Sequence, residues 1–203
     1  MKAVLRSIKP FWLYLIIIGK KTIEVGKTFP KAYDWNKEVF LHCSKDMKSF
    51  KRIPEKDREW MRKYLGKVAC RFVCDKIYNL TPHFDKPDFC NQYLCNWNWG
   101  EGTACLSFTE MNDYLKGKNG YGWHISDLVI YDEPRELSEF YTIDNEAVQK
   151  CENRFQTYYN FTDTGYIKNG FACDYKDEWC SKCKRKVLTR PPQSWCYVEV
   201  QDE

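Results

Sequence analysis

The sequence lacks an apolar run long enough to span a bilayer. Its most hydrophobic stretch, 11–18, is much shorter than the roughly 20 residues that a spanning helix needs. Lys2 and Arg6 before it resemble the start of a secretory signal, but Pro10 opens the run and Gly19 ends it where a small-residue cleavage site is expected. We therefore expect neither export nor a membrane partner, and we interpret the stretch as a short buried helix with Pro10 in its first turn and Gly19 as its cap.

Neither sign of charge is in large excess, and the chain has no internal repeat or low-complexity tract. Lys and Arg number 32 against 28 Asp and Glu, a net charge of +4 that permits a polyanionic partner without requiring one. Aromatic residues are plentiful at 17%, with 8 Trp and 14 Tyr. Most are expected to fill a β-rich core, and the surplus can supply faces on which nucleic-acid bases stack.

The cysteines do not form an even set. Eleven cannot all pair within the chain, and without an export signal we expect reduced thiols in the cytoplasm. Cys180 and Cys183 form a C-x-x-C pair, with Cys173 as a third ligand and Cys151 or Cys196 as a fourth. This set predicts a structural zinc ion, the one cofactor we expect, with an incidental or redox pair as alternatives. Because every ligand is a thiol and no position stays open, catalytic zinc is not favoured.

Strand and helix patterns alternate along the chain. Strand patterns lie at 22–25, 38–43, 66–77, 120–131 and the end of 190–200, and helix patterns at 10–19, 54–65, 109–115 and 145–158. Thr109 is the expected N-cap of the third helix, and 82–102 is expected to be irregular. Short strands broken by short helices predict an α+β fold, a small closed mixed barrel in a single domain over 1–203.

A charged motif, Gly19-x-Lys21-x-x-Glu24, directly follows the first helix. In a flat strand Lys21 and Glu24 would lie on opposite faces, so they converge only if a turn or bulge intervenes or if Lys21 precedes the strand. Once together, Lys21 could bind a phosphate or act as a base, and Glu24 could accept hydrogen bonds from a base edge or move a proton. The alternative is a solvated lysine in a weak surface ion pair.

This motif resembles the G-x-K-x-x-E-x-R pattern of the ASCH family, part of the PUA-like superfamily. The residues that carry the resemblance in order and spacing are Ser7, Lys9, Pro10, Gly19, Lys21, Glu24, Trp123 and His124. The resemblance spans most of the chain, with insertions near 80–105 and 145–190. It implies a PUA-like small mixed β-barrel with flanking short helices, and a cleft lined by the motif that binds RNA or another nucleic acid.

One position departs from the family pattern. Gly26 stands where the pattern has arginine, which removes a planar phosphate binder, and Lys27 would point to the other face of a strand. If the last strand lies near the first, its residues can flank the cleft. The expected nucleic-acid-binding residues are Ser7, Lys9, Lys21, Glu24, Lys27, Trp123, His124, Arg190, Gln193 and Trp195.

An enzyme is the alternative to a binding protein. A related branch of the superfamily removes the acetyl group from N4-acetylcytidine with a lysine and a threonine of this motif; Lys21 matches the lysine, but Glu24 stands where the threonine would be. In this alternative the chain is an amidohydrolase or ribonuclease acting on RNA or a modified nucleoside, with Lys21 and Glu24 as catalytic residues. A third class is a protein-interaction module with a zinc-stapled loop and an unidentified protein partner.

Overall fold

The strands that the structure describes form three sheets. The computed structural model describes residues 2–30, 35–82, 93–95, 103–142, 154–159, 168–173 and 186–200. The strands are β1 Lys2–Ile8, β2 Ile23–Gly26, β3 Trp35–Cys43, β4 Val68–Val73, β5 Ile77–Pro82, β6 Tyr93–Cys95, β7 Gly120–His124, β8 Ser126–Arg135, β9 Phe140–Thr142, β10 Arg154–Tyr159, β11 Lys168–Cys173, β12 Lys186–Val187 and β13 Trp195–Val200. The helices are α1 Pro10–Ile17, α2 Met47–Phe50, α3 Glu55–Met61 and α4 Phe108–Leu115, with short 3-10 turns at Arg62–Tyr64 and Leu137–Glu139.

The largest sheet has β1 near its centre. Its strand order is β12-β9-β13-β1-β3-β4-β8, with β1 parallel to β3 and antiparallel to β13. A second sheet has the order β2-β7-β5-β6, and β10 pairs with β11. The α+β class is confirmed, whereas no closed barrel is found among the strands that the structure describes.

The two larger sheets are joined where β7 runs into β8. His124 ends β7 and Ser126 begins β8, so the chain leaves one sheet and enters the other across Ile125. The Ile125 amide donates to the Thr22 carbonyl at 2.9 Å, just before β2. This junction holds β2, with its charged motif, beside the face of the seven-stranded sheet.

Strand β1 is buried on both faces. Val4 and Ile8 pack into the main core with α1, and Ala3 and Leu5 pack into a second core on the opposite face. The sequence of a strand that is buried on both faces is typically a nearly continuous apolar run. Arg6 lies on the face of Val4 and Ile8, and it is a charged side chain in an otherwise apolar environment.

The first helix matches its sequence pattern. Pro10 occupies the first turn of α1, and Gly19 follows the helix with φ of 73°, a left-handed conformation that glycine adopts without strain. Leu13 and Ile16 are fully buried in the main core. None of the described helices has the length and apolarity needed to cross a bilayer.

Three predictions of local structure are wrong. The segment 82–102, expected to be irregular, contains strand β6. The N-cap of α4 is Ser107 rather than Thr109, because Glu110 stands three residues later and completes a capping box with the Ser107 backbone and side chain. The chain over 154–159 is a strand rather than the end of a helix, and its aromatic residues suit a sheet. The rest of the predicted helix, 145–153, lies outside the described residues. The single domain with insertions near 80–105 and 145–190 stays a prediction, since most of both segments also lies outside them.

Candidate functional site

Three charged side chains meet in the interior and form what we call the Arg6–Glu24–Lys21 cluster. Glu24 on β2 accepts hydrogen bonds from Arg6 Nε at 3.2 Å and Nη2 at 3.0 Å through Oε1. Its other oxygen, Oε2, lies 3.3 Å from Lys21 Nζ. All three side chains are buried, so the cluster is an internal ion network and not a surface ion pair.

The position of Lys21 explains how the motif converges. Strand β2 begins at Ile23, so Lys21 precedes the strand and its side chain does not follow the alternation that governs Glu24. Besides Glu24, Lys21 Nζ donates to the carbonyl oxygens of Ile23 at 2.8 Å and Ala104 at 2.7 Å. An ammonium group has three N–H donors. Through these three acceptors Lys21 links β2 to the 103–106 segment, and all of its N–H groups are engaged within the protein.

Arg6 is held differently. Its Nη2 also donates to the Val25 carbonyl at 2.6 Å, and its guanidinium lies 4.9 Å from the centre of the Trp123 ring. Its Nη1 and the indole Nε1 of Trp123 are buried, and neither has a hydrogen-bond partner among the described residues. Neither nitrogen has a protein acceptor at good hydrogen-bond geometry, which is costly in an apolar interior, although the Tyr114 hydroxyl is close enough to interact with the Arg6 guanidinium.

The charges of the cluster stabilise one another. Burial acts to raise the pKa of Glu24, but the charges of Lys21 and Arg6 outweigh it and hold that pKa below its ordinary value. Burial lowers the pKa of Lys21 although the charge of Glu24 opposes the shift. Burial also acts to lower the pKa of Arg6, but the charge of Glu24 raises it. The carboxylate and the guanidinium are both ionised near neutral pH.

Gly26 lies against the two unpartnered donors. A Cβ added at this position would lie 2.9 Å from Trp123 Nε1, 3.0 Å from the Thr28 carbonyl oxygen and 3.2 Å from Arg6 Nη1. The place that a motif arginine would need is thus taken by the indole and by Arg6. Gly26 does lack the arginine of the motif, but a guanidinium is present beside it, supplied by Arg6 of β1.

Aromatic rings lead from the cluster toward the surface. Trp195 pairs with Arg6 in the register of β1 and β13, as expected if the last strand lies near the first. Its ring lies 6.3 Å from Trp123 and 5.4 Å from Tyr197, and its Nε1 donates to Thr28 Oγ1 at 2.9 Å. We call Trp123, Trp195 and Tyr197 the aromatic row.

An exposed cation lies next to the cluster as well. Lys27 is exposed, and its Nζ lies 5.1 Å from the centre of the Tyr114 ring on α4. Tyr114 is 38% exposed, and the electrostatic influence of its hydroxyl reaches Arg6 and helps to raise the pKa of that guanidinium. Tyr114 therefore connects the buried charge to the surface.

The other predicted binding residues do not join the cluster. Ser7 Oγ donates to the Pro192 carbonyl at 2.7 Å and fastens β1 to the segment before β13. Lys9 is exposed and lies 3.4 Å from Asp46 Oδ2. His124 Nδ1 lies 2.7 Å from Asp75 Oδ1. Arg190 and Gln193 are exposed in the segment between β12 and β13, on the approach to Trp195.

The predicted zinc ligands are only partly described. Cys151, Cys180 and Cys183 lie outside the described residues, and Cys173 ends β11. Cys196, on β13, is a free thiol whose pKa is raised by burial to about 11. No group of three or more metal-binding side chains occurs within the described ranges, so the zinc site stays a prediction.

Sequence reasoning missed Arg6 and Tyr114. The sequence could have indicated Arg6, since it is the one charged residue between Ala3 and Ile8 in a run otherwise typical of a buried strand. Tyr114 had no such signal, because its place beside Arg6 depends on how α4 packs against β2 and β7. Sequence patterns do not specify that packing.

Comparisons with known proteins give distant likenesses. Neither a protein-family model nor a curated protein matches the sequence. The chain is similar to the crystal structure of one ASCH mutant from Zymomonas mobilis at 14% identity and TM-score 0.47, covering 97% of this chain and 88% of that one. A second mutant of that protein has 17% identity and TM-score 0.43, covering 68% and 77%. The ASCH protein from Zymomonas mobilis has 15% identity and TM-score 0.38, covering 66% and 73%. All three are ASCH proteins, the family that the 19–24 motif resembles, and at these TM-scores the likeness supports no inference about function.

Proposed function

We propose that the protein binds RNA or another nucleic acid over the surface formed by Lys27, Tyr114 and the partly exposed members of the aromatic row, Trp195 and Tyr197. The observation that carries the proposal is the placement of an exposed cation and a series of aromatic rings around a buried guanidinium. Cations neutralise phosphates and aromatic faces stack on bases, and single-stranded nucleic acid is bound by this combination. The PUA-like arrangement implied by the sequence resemblance is part of the same proposal.

Within this proposal the motif residues have a supporting role. Lys21 is 2% exposed with its donors engaged, and Glu24 holds both cations. They fix the position of β2 and of Arg6, while Lys27, Tyr114 and Trp195 meet the ligand. Arg190 and Gln193, exposed beside the start of β13, extend the surface.

The test is a fluorescence-anisotropy titration of single-stranded RNA, duplex RNA and DNA at two salt concentrations. Lys27→Ala is expected to weaken binding of single strands and to reduce the salt slope by roughly 0.7. Trp195→Ala is expected to cost about 1 to 3 kcal/mol of binding free energy through lost stacking. The matched control is Lys63→Ala, since Lys63 makes a similar stack on Tyr64 at 4.9 Å beside Asp132. Failure of the wild type to bind any of the three polymers would rule out the proposal.

Hydrolysis of RNA or of a modified nucleoside is the second candidate function. It is favoured by the lowered pKa of Lys21, which burial causes, beside a carboxylate at 3.3 Å. The reaction would require Lys21 to lose one proton to solvent and to leave the Ile23 and Ala104 carbonyls, so that its neutral amine could then take up a proton from a substrate. Product formation by the wild type that is lost in Lys21→Met would establish this candidate, and binding without turnover would exclude it.

We also propose that the C-terminal cysteines hold structural zinc in a protein that resides in the cytoplasm. The described thiols agree with a reducing compartment, because Cys43, Cys70 and Cys74 are free and burial raises the pKa of each to about 12. Elemental analysis of the purified protein should find about one zinc per chain, and Cys180→Ser should lower that content. A metal-free wild-type protein would rule out the zinc site.

A further inference from the structure

The positive charge of the chain is concentrated in one segment. Residues 45–67, which contain α2 and α3, hold nine Lys and Arg against four Asp and Glu and carry a net charge of +5, whereas the whole chain carries +4. Two of these cations turn toward β8, since Lys63 donates to the Asp132 carbonyl and Lys67 pairs with Glu136. Those at the start of the segment lie beside α1 instead, where they add positive charge to a surface that a polyanion can reach.

Three exposed cations follow one another on and after α2. Lys48 and Lys51 are three residues apart, which places them on the same side of the helical turn. Arg52 comes next, and its guanidinium carbon lies 4.1 Å from the centre of the Phe11 ring and 4.9 Å from the centre of the Trp12 ring. This stack fixes a charged, planar group over two partly exposed aromatic rings of α1.

A fourth cation lies at the start of α1. Lys9 Nζ is 3.4 Å from Asp46 Oδ2, and the Lys9 side chain is 64% exposed. The Phe11 amide donates to Ser49 Oγ at 3.1 Å, so the first turn of α1 is fixed against α2. We call Lys9, Lys48, Lys51 and Arg52 the α2 cations.

Helix α4 connects the α2 cations to the surface of the proposed function. Glu110 Oε1 accepts a hydrogen bond from Arg52 Nη2 at 3.0 Å, and Lys27 Nζ lies 5.1 Å from the centre of the Tyr114 ring. Glu110 and Tyr114 are four residues apart in α4, so they share one face of the helix and are separated by about 6 Å along its axis. Arg52 and Lys27 are therefore successive cations along the same face of α4.

The other end of this series reaches the aromatic row. Thr28 directly follows Lys27 and accepts a hydrogen bond from Trp195 Nε1 at 2.9 Å. A continuous series of contacts thus leads from Trp195 to Lys27, along α4 to Arg52 and on to α2. Trp195, Lys27 and Arg52 are each at least partly exposed. We call this surface, from Trp195 to the α2 cations, the α4 path.

The path also contains carboxylates, and two of them hold cations in place. Glu110 completes the capping box of α4 and pairs with Arg52. Asp46 caps α2 and faces Lys9. Asp113 is the third carboxylate and is exposed on α4. Lys27 and the α2 cations outnumber these carboxylates five to three, so the path keeps a positive charge that a nucleic-acid backbone complements.

Cations and aromatic rings alternate along the path. Trp195 is followed by Lys27 with its tyrosine ring, and then by Arg52 with its two stacked rings. Single-stranded nucleic acid is bound by such surfaces, in which cations follow the backbone and aromatic faces stack on successive bases. A duplex keeps its base faces stacked inside and would use only the cations.

We propose that one single strand of RNA or another nucleic acid occupies the whole α4 path. Its bases stack at the Trp195 end, and its backbone passes Lys27 and continues past Arg52 to the α2 cations. The inference rests on the proposed function and adds to it the extent of the bound strand. A short oligonucleotide fills the Trp195 end, and a longer one reaches α2.

The test is a fluorescence-anisotropy titration of oligouridylates of about 4, 8 and 16 nucleotides at two salt concentrations. Arg52→Gln removes one cation from the far part of the path. It should weaken binding of the longest strand by roughly threefold to tenfold, reduce the salt slope for that strand by roughly 0.7, and leave the affinity of the shortest strand unchanged. Trp195→Ala should weaken all three lengths, because every strand occupies the Trp195 end.

The matched control is Arg71→Gln. The Arg71 side chain is 38% exposed and pairs with Glu38 at 2.7 Å, which resembles the 46% exposure of Arg52 and its own ion pair at 3.0 Å. Arg71 lies opposite Phe40 in the register of β3 and β4, on the face of the sheet that is turned away from α1. This variant should leave the affinity for every length unchanged.

A second variant keeps the inference testable if Arg52→Gln does not fold. Lys51 is exposed, and its backbone carbonyl, which accepts from Arg58, is not altered by Lys51→Gln. This variant should also weaken binding of the longest strand and leave the shortest unchanged. The Tm of each variant without RNA shows that affinities are compared between folded proteins.

The possible results separate this inference from the proposed function. A loss of affinity in Arg52→Gln and Lys51→Gln that grows with strand length, with Arg71→Gln unchanged, supports the path. If the strands bind and neither variant changes the affinity, or if each variant weakens the three lengths equally, the path is overturned and the proposed function stands. No binding of any length by the wild type overturns both.

Discussion

The two cations that flank Glu24 are similarly buried, but they differ in how many of their donors have acceptors. Lys21 directs its ammonium group at Glu24 and at two backbone carbonyls. Arg6 satisfies Nε and Nη2 and leaves Nη1 unpartnered among the described residues. We therefore expect replacement of Lys21 to affect stability alone, and changes beside Arg6 to affect both stability and the proposed RNA binding. The following predictions are arranged to separate the two roles.

The largest effect is expected from Glu24→Gln. The change removes the carboxylate that both cations share and leaves two buried charges without a counter-charge, so the free energy of unfolding should fall by about 3 to 5 kcal/mol. Urea denaturation followed by tryptophan fluorescence would measure the loss. The control is Glu38→Gln. Glu38 Oε1 lies 2.7 Å from Arg71 Nη1 in an ion pair that is partly exposed, so this substitution should lower the free energy of unfolding by about 1 kcal/mol or less. Equal losses in the two variants would contradict the interior role of Glu24.

Lys21→Met separates the two ends of the cluster most directly. The Ile23 and Ala104 carbonyls lose their donor, so the free energy of unfolding should fall by about 2 kcal/mol. Glu24 keeps Arg6 as its partner, and the surface at Lys27 and Trp195 is unaltered. Affinity for single-stranded RNA should therefore change less than in Trp195→Ala when both are measured by anisotropy well below Tm. A larger loss of affinity in Lys21→Met would place Lys21 in direct contact with the ligand.

Gly26→Ala should act on the Arg6 end through sterics. The added methyl group presses on Trp123 Nε1 and Arg6 Nη1, which should cost between about 1 and 2 kcal/mol of stability and weaken RNA binding. Gly19→Ala is the matched comparison, because a Cβ there meets nothing within 4 Å but φ is 73°. It should cost about 1 kcal/mol through backbone strain and leave affinity unchanged. Thermal unfolding measures the loss of stability in each variant, and anisotropy measures its affinity for RNA. Equal RNA affinities of Gly26→Ala and Gly19→Ala would argue against close packing at Gly26.

The smallest effect is a dependence of stability on pH. The charges of Lys21 and Arg6 lower the pKa of Glu24, so the folded protein binds fewer protons than the unfolded chain and its stability should fall as pH drops below the ordinary carboxyl pKa of 4.5. Burial lowers the pKa of Lys21, so this group makes stability rise with pH in the window below the ordinary lysine pKa of 10.5. The buried thiols of Cys43, Cys70 and Cys74, whose pKa is raised from 9.0 to about 12, act in the opposite direction above pH 9. Urea unfolding across both windows measures the slopes, and the Lys21 contribution is the difference between the wild type and Lys21→Met in the alkaline window, with the acid slope kept in both.

The sequence specified the local parts of the site better than their assembly. Gly19 after α1, the strand that contains Glu24 and the burial of Cys70 and Phe72 in one core follow from glycine conformation and period-two patterns. Val68, which the same period would place with them, packs into the second core. The pairing of β13 with β1 agrees with the expectation for Trp195. These features depend on short stretches of chain or on one long-range pairing.

The parts that escaped prediction depend on contacts between distant segments. Arg6 lies in a strand covered on both faces, and its apolar neighbours together with Lys2 resemble a secretory signal more than a site. The place of Arg6 beside β2 becomes visible only when Gly26 is seen against Arg6 and Trp123. The capping role of Ser107 was within reach, since the capping-box spacing to Glu110 is local.

The place of β1 between β3 and β13 has a consequence for how the nascent chain folds during synthesis on the ribosome. One neighbour, β3, follows soon after β1, but the hydrogen bond from Ser7 to Pro192 joins residues 185 positions apart. During synthesis, the β1 edge that later accepts β13 stays unpaired until residues 185 positions further along the chain have been made, and unpaired strand edges are where nascent chains associate wrongly. Because that same edge carries Arg6 opposite Trp195, a translation product that stops before β13 would have an open sheet and would lack the tryptophan that lies beside Arg6.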